Sequence, residues 1–197
     1  MKDLKKIVIA TSNQHKVIEI RELCRSWNVE FLSLNDIGLG ELEIVEDGST
    51  YIENAQIKAK EVKKYTDYPV IADDSGLSID ALNGEPGLYT ARFLSELTFR
   101  ERKAKVIEML KDRERGAHFT CALCFIDRDI INVQSEVYGT ISYEDTGING
   151  FGYDGIFYLK EYDQTYAQMS QELKNEVSHR GRAIRKMEEK LREINFL

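Results

Sequence analysis

Pro69, then Val70-Ile71-Ala72, then at once Asp73-Asp74-Ser75-Gly76: no other stretch limits what this chain can fold into as strongly. The apolar run reads as a buried strand introduced by a proline, and it stops abruptly at the two aspartates. Adjacent carboxylates at a strand end are costly to hold unless something positive lies beside them. Carboxylate oxygens suit Mg²⁺. Neighbouring side chains of extended backbone point opposite ways, so one aspartate can face a metal while the other faces a substrate water. A solvated Asp-rich turn ahead of Gly76 fits the same residues, since Asp and Gly both favour turns.

The rest of the chain supplies the core such a strand needs. At 197 residues, with 42% hydrophobic and 31% charged side chains, it is the size of one domain without a linker. A net charge of −7 argues against a general nucleic-acid binder. No run approaches the roughly 20 apolar residues of a membrane span, and the N-terminal Met-Lys-Asp-Leu-Lys-Lys has too short an apolar continuation for a signal peptide. These features predict a cytoplasmic protein with no membrane partner. Cys24, Cys121 and Cys124 are odd in number and lack framework spacing, as expected of reduced thiols. Cys121 and Cys124 match C-x-x-C, but they lie in a strand-like run, where residues three apart face opposite sides. Core packing is therefore the expected role for both.

Lys6-Ile-Val-Ile-Ala10 reads as the first strand. Behind it come Thr11-Ser12-Asn13-Gln14-His15-Lys16 and a helical stripe of Val17, Ile20, Leu23, Cys24 and Trp27. A strand, a polar turn and a helix N-terminus gather backbone N–H groups that favour an anion. A helix cap formed by Thr11, Ser12 or Asn13 accounts for the same residues. Val29–Ser33 is a second strand and residues 34–48 an acidic loop. Thr50-Tyr-Ile-Glu53 is a capping box opening a helix whose buried face is Ile52, Ala55, Ala59 and Val62, with Lys58 beside that stripe. Leu77–Leu82 reads as a further strand and Asn83–Gly87 as a turn.

Farther on, Thr98–Lys111 reads as a charged helix with Val106, Met109 and Leu110 inward. Ala117–Asp127 and Ile130–Ser142 are two long neighbouring strands joined by a short hairpin. The glycine-rich loop 145–155 carries Phe151 and Tyr153, either packing the turn or stacking on a planar ligand. Ser178 is an N-cap for a last helix with Ile184, Met187, Leu191 and Ile194 on its inner stripe. His179 and Arg180 in its first turn are unfavourable to the helix dipole, which hints at use rather than stability.

Taken together these stretches resemble the inosine/xanthosine triphosphate pyrophosphatase family. The resemblance rests on Ala10–Lys16, Glu46–Ala55 with Lys58, Val70–Phe93, Gly150–Asp154 and Ser178–Arg180, in the family's order over nearly the whole chain. It implies an α/β fold: one domain, 1–197, with an elongated, twisted mixed β-sheet flanked by helices, two lobes and a central nucleotide cleft, usually as a homodimer. It implies that Thr11, Asn13 and Lys16 hold the triphosphate and that Glu46, Asp73 and Asp74 belong to a Mg²⁺ site. Lys58 would face the phosphates, and Asp74 would activate the attacking water. Ser75 and Gly76 would lie beside the nucleotide, Phe151 would stack on the base, and Gly152, Tyr153, Asp154, Lys174, Ser178, His179 and Arg180 would complete the nucleoside pocket.

The implied reaction is hydrolysis of a non-standard purine nucleoside triphosphate to monophosphate and pyrophosphate by in-line attack at the α-phosphorus. Donors that pair with a 6-oxo base would be left unmet by adenine, whereas guanine shares the 6-oxo group. Two departures from the family pattern stand out. Gly155 occupies a position usually held by proline, which is expected to loosen the base loop, and Leu94-Ser-Glu replaces a small-residue step. A pyrophosphatase for modified pyrimidine nucleotides and a non-hydrolytic nucleotide sensor are the competing readings. The sensor would normally lack one of Glu46, Asp73, Asp74 or Lys58, all of which are present.

Overall fold

The computed structural model describes residues 4–197; residues 1–3, where the N-terminal segment weighed as a signal peptide begins, lie outside the described residues. Strands and helices follow in the order β1 (Lys5–Ile9), α1 (Gln14–Leu23), β2 (Val29–Leu32), α2 (Tyr51–Lys63), β3 (Val70–Ile79), α3 (Phe99–Met109), β4 (Gly116–Ile126), β5 (Ile130–Ile141), β6 (Phe157–Leu159), β7 (Gln164–Thr165), α4 (Gln171–Val177) and α5 (His179–Glu193). The strands form a seven-stranded mixed sheet in the order β2-β1-β3-β4-β5-β6-β7. β1 pairs in parallel with β2, Lys5 opposite Val29, and with β3, Val8 opposite Val70. β5 with β6 and β6 with β7 are antiparallel.

The chain divides into two compact units, Met1–Asp74 with Cys121–Ser135 and Ala183–Leu197, and Ser75–Thr120 with Glu136–Arg182. In the first unit the period-two alternation of the strands sorts their side chains onto two faces. Ile7, Ile9, Ile71, Cys121, Leu123 and Phe125 pack with Val17 and Ile20 of α1 and with Ala183, Ile184, Met187 and Leu191 of α5. Val8, Ala10, Val70, Ala72, Ala122 and Cys124 pack with Ala55, Ala59 and Val62 of α2. Cys121 and Cys124 thus belong to opposite faces, as the strand reading requires, and both thiols are buried. In the second unit Leu77, Ile79, Phe119, Val137, Phe157 and Tyr166 make the core with Val106 and Leu110.

Three expectations change. β3 does not stop at the aspartates: it runs ten residues through Asp73-Asp74-Ser75-Gly76 to Ile79, and Asp80–Leu82 is a 3-10 turn rather than strand. Ion pairing, described below, is what lets two carboxylates lie inside a buried strand. Lys58 is not beside the buried stripe of α2 but within it, 6% exposed. Ile194, placed on the inner stripe of α5, is 52% exposed because the helix ends at Glu193 and the chain turns away.

The local signals behave otherwise as read. Asn13 caps α1, accepting from the N–H groups of His15 and Lys16. Thr50 and Glu53 form the capping box of α2, and Thr98 with Glu101 forms a second one on α3. Ser178 Oγ accepts from Gly181 N–H at 3.1 Å. Gly181 is there for space: a Cβ on it would lie 1.9 Å from the Asn175 carbonyl oxygen.

Candidate active site

The first unit gathers one group of charges around β3. Asp73 and Asp74 project to opposite faces. Asp73 is fully buried, forms an ion pair with Lys16 in the first turn of α1, and accepts from the Cys121 thiol at 3.1 Å. Asp74 is 7% exposed and accepts from Lys58 Nζ at 2.7 Å, while the same ammonium reaches Glu46 at 2.6 Å. Lys58 stands at this point because α2, started by its capping box, carries it on the face packed against the sheet. Glu46 arrives on the acidic loop, its side chain 34% exposed.

The electrostatics follow from one buried ammonium serving two carboxylates. Burial pushes Asp74 up to about 6, against the pull of Lys58, and the neighbouring Glu46 adds to the rise. Burial also acts upward on Glu46, but the charge and hydrogen bond of Lys58 outweigh it and hold that carboxyl below its usual range. Burial disfavours the charged form of Lys58, yet Asp74 and Glu46 together raise its pKa. One carboxylate is therefore poised to exchange a proton near neutrality while its neighbour stays ionised, a division that suits general base chemistry. The second oxygen of Asp74, Oδ2, is buried and accepts no hydrogen bond.

That unmet oxygen beside Glu46 is the feature that fits a hard cation, for which carboxylate oxygens are the preferred donors. Among the described residues, however, no three His, Cys, Asp or Glu side chains come together as a ligand set. The expected trio of Glu46, Asp73 and Asp74 is therefore not assembled. Glu46 and Asp74 converge, whereas Asp73 is turned to the other face and held by Lys16 and Cys121.

The turn before α1 is already knit together. Thr11 Oγ1 accepts from Asn13 N–H at 3.2 Å, and Asn13 Oδ1 accepts from His15 and Lys16 N–H at 3.0 and 3.3 Å. The capping reading of Asn13 is thus right, and Gln14-His15-Lys16 place no acid in the first turn, leaving the positive end of the helix uncompensated.

The second unit holds another polar group, built on loop 145–155, α4 and the start of α5. Asp154 is 5% exposed and accepts at Oδ2 from Phe151 N–H at 2.8 Å and from buried Lys174 Nζ at 2.7 Å. Lys174 Nζ and the Arg180 guanidinium lie 5.4 and 5.8 Å from the centre of the Phe151 ring. Arg180 donates to Ser75 Oγ at 3.0 Å, and Gly76 beside it is buried in the strand. Phe151 and Gly152 are half-buried, Gly152 with φ of +60°.

Two of the expected pocket residues are deeply buried. Tyr153 is 2% exposed and packs edge-on to Phe99, and burial pushes its hydroxyl up to about 12. His179 is 4% exposed and lies flat on Phe119, ring centres 4.5 Å apart and planes 8° from parallel. Phe119 and Cys121, which fix His179 and Asp73, were not singled out from sequence for these roles. Both sit far along the chain from the residues they hold. The Gly155 carbonyl accepts from Thr146 N–H at 2.9 Å, a bond between the two ends of the loop.

Comparison with known proteins comes to the same place from a different direction. The model of the Ham1 family matches residues 7–190. A dITP/XTP pyrophosphatase of Clostridium perfringens is 40% identical over 97% of this chain and 99% of its own length. A HAM1 protein from Coxiella burnetii superposes with a TM-score of 0.86 at 37% identity, covering 96% of this chain and 100% of the other. The Staphylococcus aureus Ham1 protein does so with a TM-score of 0.84 at 35% identity, covering 96% and 99%.

Proposed function

Since this chain belongs to the Ham1 family, we propose that it hydrolyses non-standard purine nucleoside triphosphates, those of inosine, deoxyinosine and xanthosine, to monophosphate and pyrophosphate, and so keeps these bases out of nucleic acids. The observation that carries the reading is Lys58 bridging Glu46 and Asp74 with one buried Asp74 oxygen unmet. The similarity to the dITP/XTP pyrophosphatase of Clostridium perfringens supports the same class of substrate.

In this reading Asp74 takes the proton of the water that attacks the α-phosphorus, and the bond to the bridging oxygen of the departing pyrophosphate breaks in line. Lys58 keeps Glu46 ionised and holds Asp74 in place between turnovers. Lys16, set by Asp73 at the head of α1, attracts the triphosphate together with Thr11 and Asn13. Glu46 and Asp74 would hold Mg²⁺, which supplies charge neutralisation on the phosphates when bound. Phe151 stacks on the base, and Asp154, Lys174, His179 and Arg180 offer the polar contacts that favour a 6-oxo purine, with Gly152, Tyr153 and Ser178 shaping the pocket around them. Ser75 and Gly76 line the strand beside the nucleotide. The whole chain works as one catalytic domain, as a homodimer in the cytoplasm, without nucleic acid; among the described residues no helix is long and apolar enough to cross a membrane.

The test is product identity with Mg²⁺ for the triphosphates of inosine, xanthosine, guanosine, adenosine and cytidine. Pyrophosphate and monophosphate, formed fastest from inosine or xanthosine, are expected. Release of orthophosphate would mean attack at the γ-phosphorus and overturn the mechanism, and preference for cytidine would favour the pyrimidine alternative.

A further inference from the structure

The geometry points to α3 as a determinant of base choice acting from outside the pocket, with Lys103 and Phe99 as positioning residues that hold loop 145–155 and Gly155 as the glycine that makes room for them. This rests on the reading that Phe151 and its neighbours receive the base.

Lys103 Nζ meets the Asp145 carboxylate at 2.7 Å on one oxygen and 2.6 Å on the other, with the two side chains 17% and 32% exposed. Asp145 opens the loop and Gly155 closes it. A Cβ on residue 155 would lie 2.0 Å from Asp145 Oδ1 and 3.2 Å from Lys103 Nζ. Gly155 is not among the residues of positive φ, so space rather than backbone conformation selects glycine here. The ion pair occupies the volume that any side chain at 155 would need.

Four residues earlier, on the same face of α3, Phe99 meets Tyr153 edge to face with ring centres 5.9 Å apart. Its Cε1 is 3.8 Å from where a Cβ of Gly152 would stand. Phe99 is itself fixed from behind by the Arg102 guanidinium, 4.7 Å from its ring. Arg102 is 8% exposed and donates to the carbonyls of Leu97 and Ala91 at 2.9 and 3.0 Å. One helix face therefore grips the loop at its opening residue and next to Phe151. A partly exposed ion pair adds little to global stability; its effect here is local, on where Phe151 and Asp154 stand.

The experiment compares kcat and KM for inosine, xanthosine, guanosine and adenosine triphosphates in Lys103→Met, Lys103→Arg, Gly155→Ala and Phe151→Ala, with hydrogen exchange of residues 145–155 in parallel. For Lys103→Met, the kcat/KM preference for inosine over guanosine and adenosine is expected to fall about two- to five-fold, the upper range of a partly exposed pair. The loss should appear in KM, with kcat for inosine triphosphate unchanged and exchange in the loop faster. Lys103→Arg should restore both, and Gly155→Ala, which drives Asp145 off its place, should reproduce the Lys103→Met effect. Unchanged preference and unchanged exchange in Lys103→Met would overturn the inference. If Phe151→Ala alters base preference and Lys103→Met does not, α3 has no such role. If Phe151→Ala also leaves preference unchanged, the loop does not read the base and the parent reading falls with it.

Discussion

Replacing Lys58 by methionine removes the ammonium that Glu46 and Asp74 share, and the structure says what should follow. The ammonium contacts the two carboxylates at 2.6 and 2.7 Å. Tetrahedral geometry at that nitrogen puts the carboxylate oxygens about 4 Å apart, where two unscreened charges at an effective dielectric near 20 repel by about 4 kcal/mol. That is enough to drive one of the two toward its protonated form near neutral pH in the variant. Asp74, already raised to about 6 by burial, is the group that rises further. A carboxyl whose folded pKa lies above its unfolded value contributes stability below the unfolded value and loses it as pH climbs through the folded one. Glu46, held low in the parent protein, loses that support when Lys58 goes. The variant should therefore be less stable than the parent by about 3–5 kcal/mol at alkaline pH, the cost of breaking a buried ion pair. The gap should narrow as pH falls toward about 5, where the carboxyls protonate. Urea unfolding in chelator-treated buffer at both pH values measures this, with Lys64→Met, an exposed lysine paired to Glu61, as control. A gap that is the same at both pH values would refute the shared-ammonium reasoning.

Three further outcomes are expected. Turnover should rise with pH through an apparent pKa near 6 as Asp74 loses its proton, while Asp74→Asn should bind nucleotide and not turn over. A flat profile between mildly acidic and neutral pH, or near-normal turnover in the asparagine variant, would remove Asp74 from the chemistry. Thr50→Ala should cost about 1 kcal/mol through the lost cap on α2, measured by chemical unfolding. Gly181→Ala should cost about 1–3 kcal/mol by overpacking, because its Cβ would stand 1.9 Å from a backbone carbonyl oxygen; an unchanged unfolding midpoint would show that the start of α5 relaxes freely.

Much of this was legible in the residues because it is local. Thr50-x-x-Glu53 is a capping box in the sequence and in the fold, and the opposite facing of Cys121 and Cys124 follows from the strand period alone. The strand order is not local. Nor are the short β6 and β7, whose three and two residues are too few to show alternation. The burial of Lys58 is not local either. Helical periodicity assigns a lysine to water by default, and only the arrival of Glu46 and Asp74 from twelve and sixteen residues away makes its burial favourable.

The same logic explains why β3 looked interrupted. A pattern reader takes two consecutive aspartates as the end of an apolar run, since an ionised carboxylate in a core is prohibitive without a partner. Here the partners come from both faces: Lys16 on Asp73 and Lys58 on Asp74, each delivered by a helix whose own start is specified by a cap, Asn13 for one and Thr50 for the other. The strand can continue because the capped helices bring their lysines to it. Loss of either cap should therefore reach the carboxylates as well as the helix. That is why Thr50→Ala, a change on the surface of α2, is expected to shift the pH at which turnover rises while leaving the composition of the site intact.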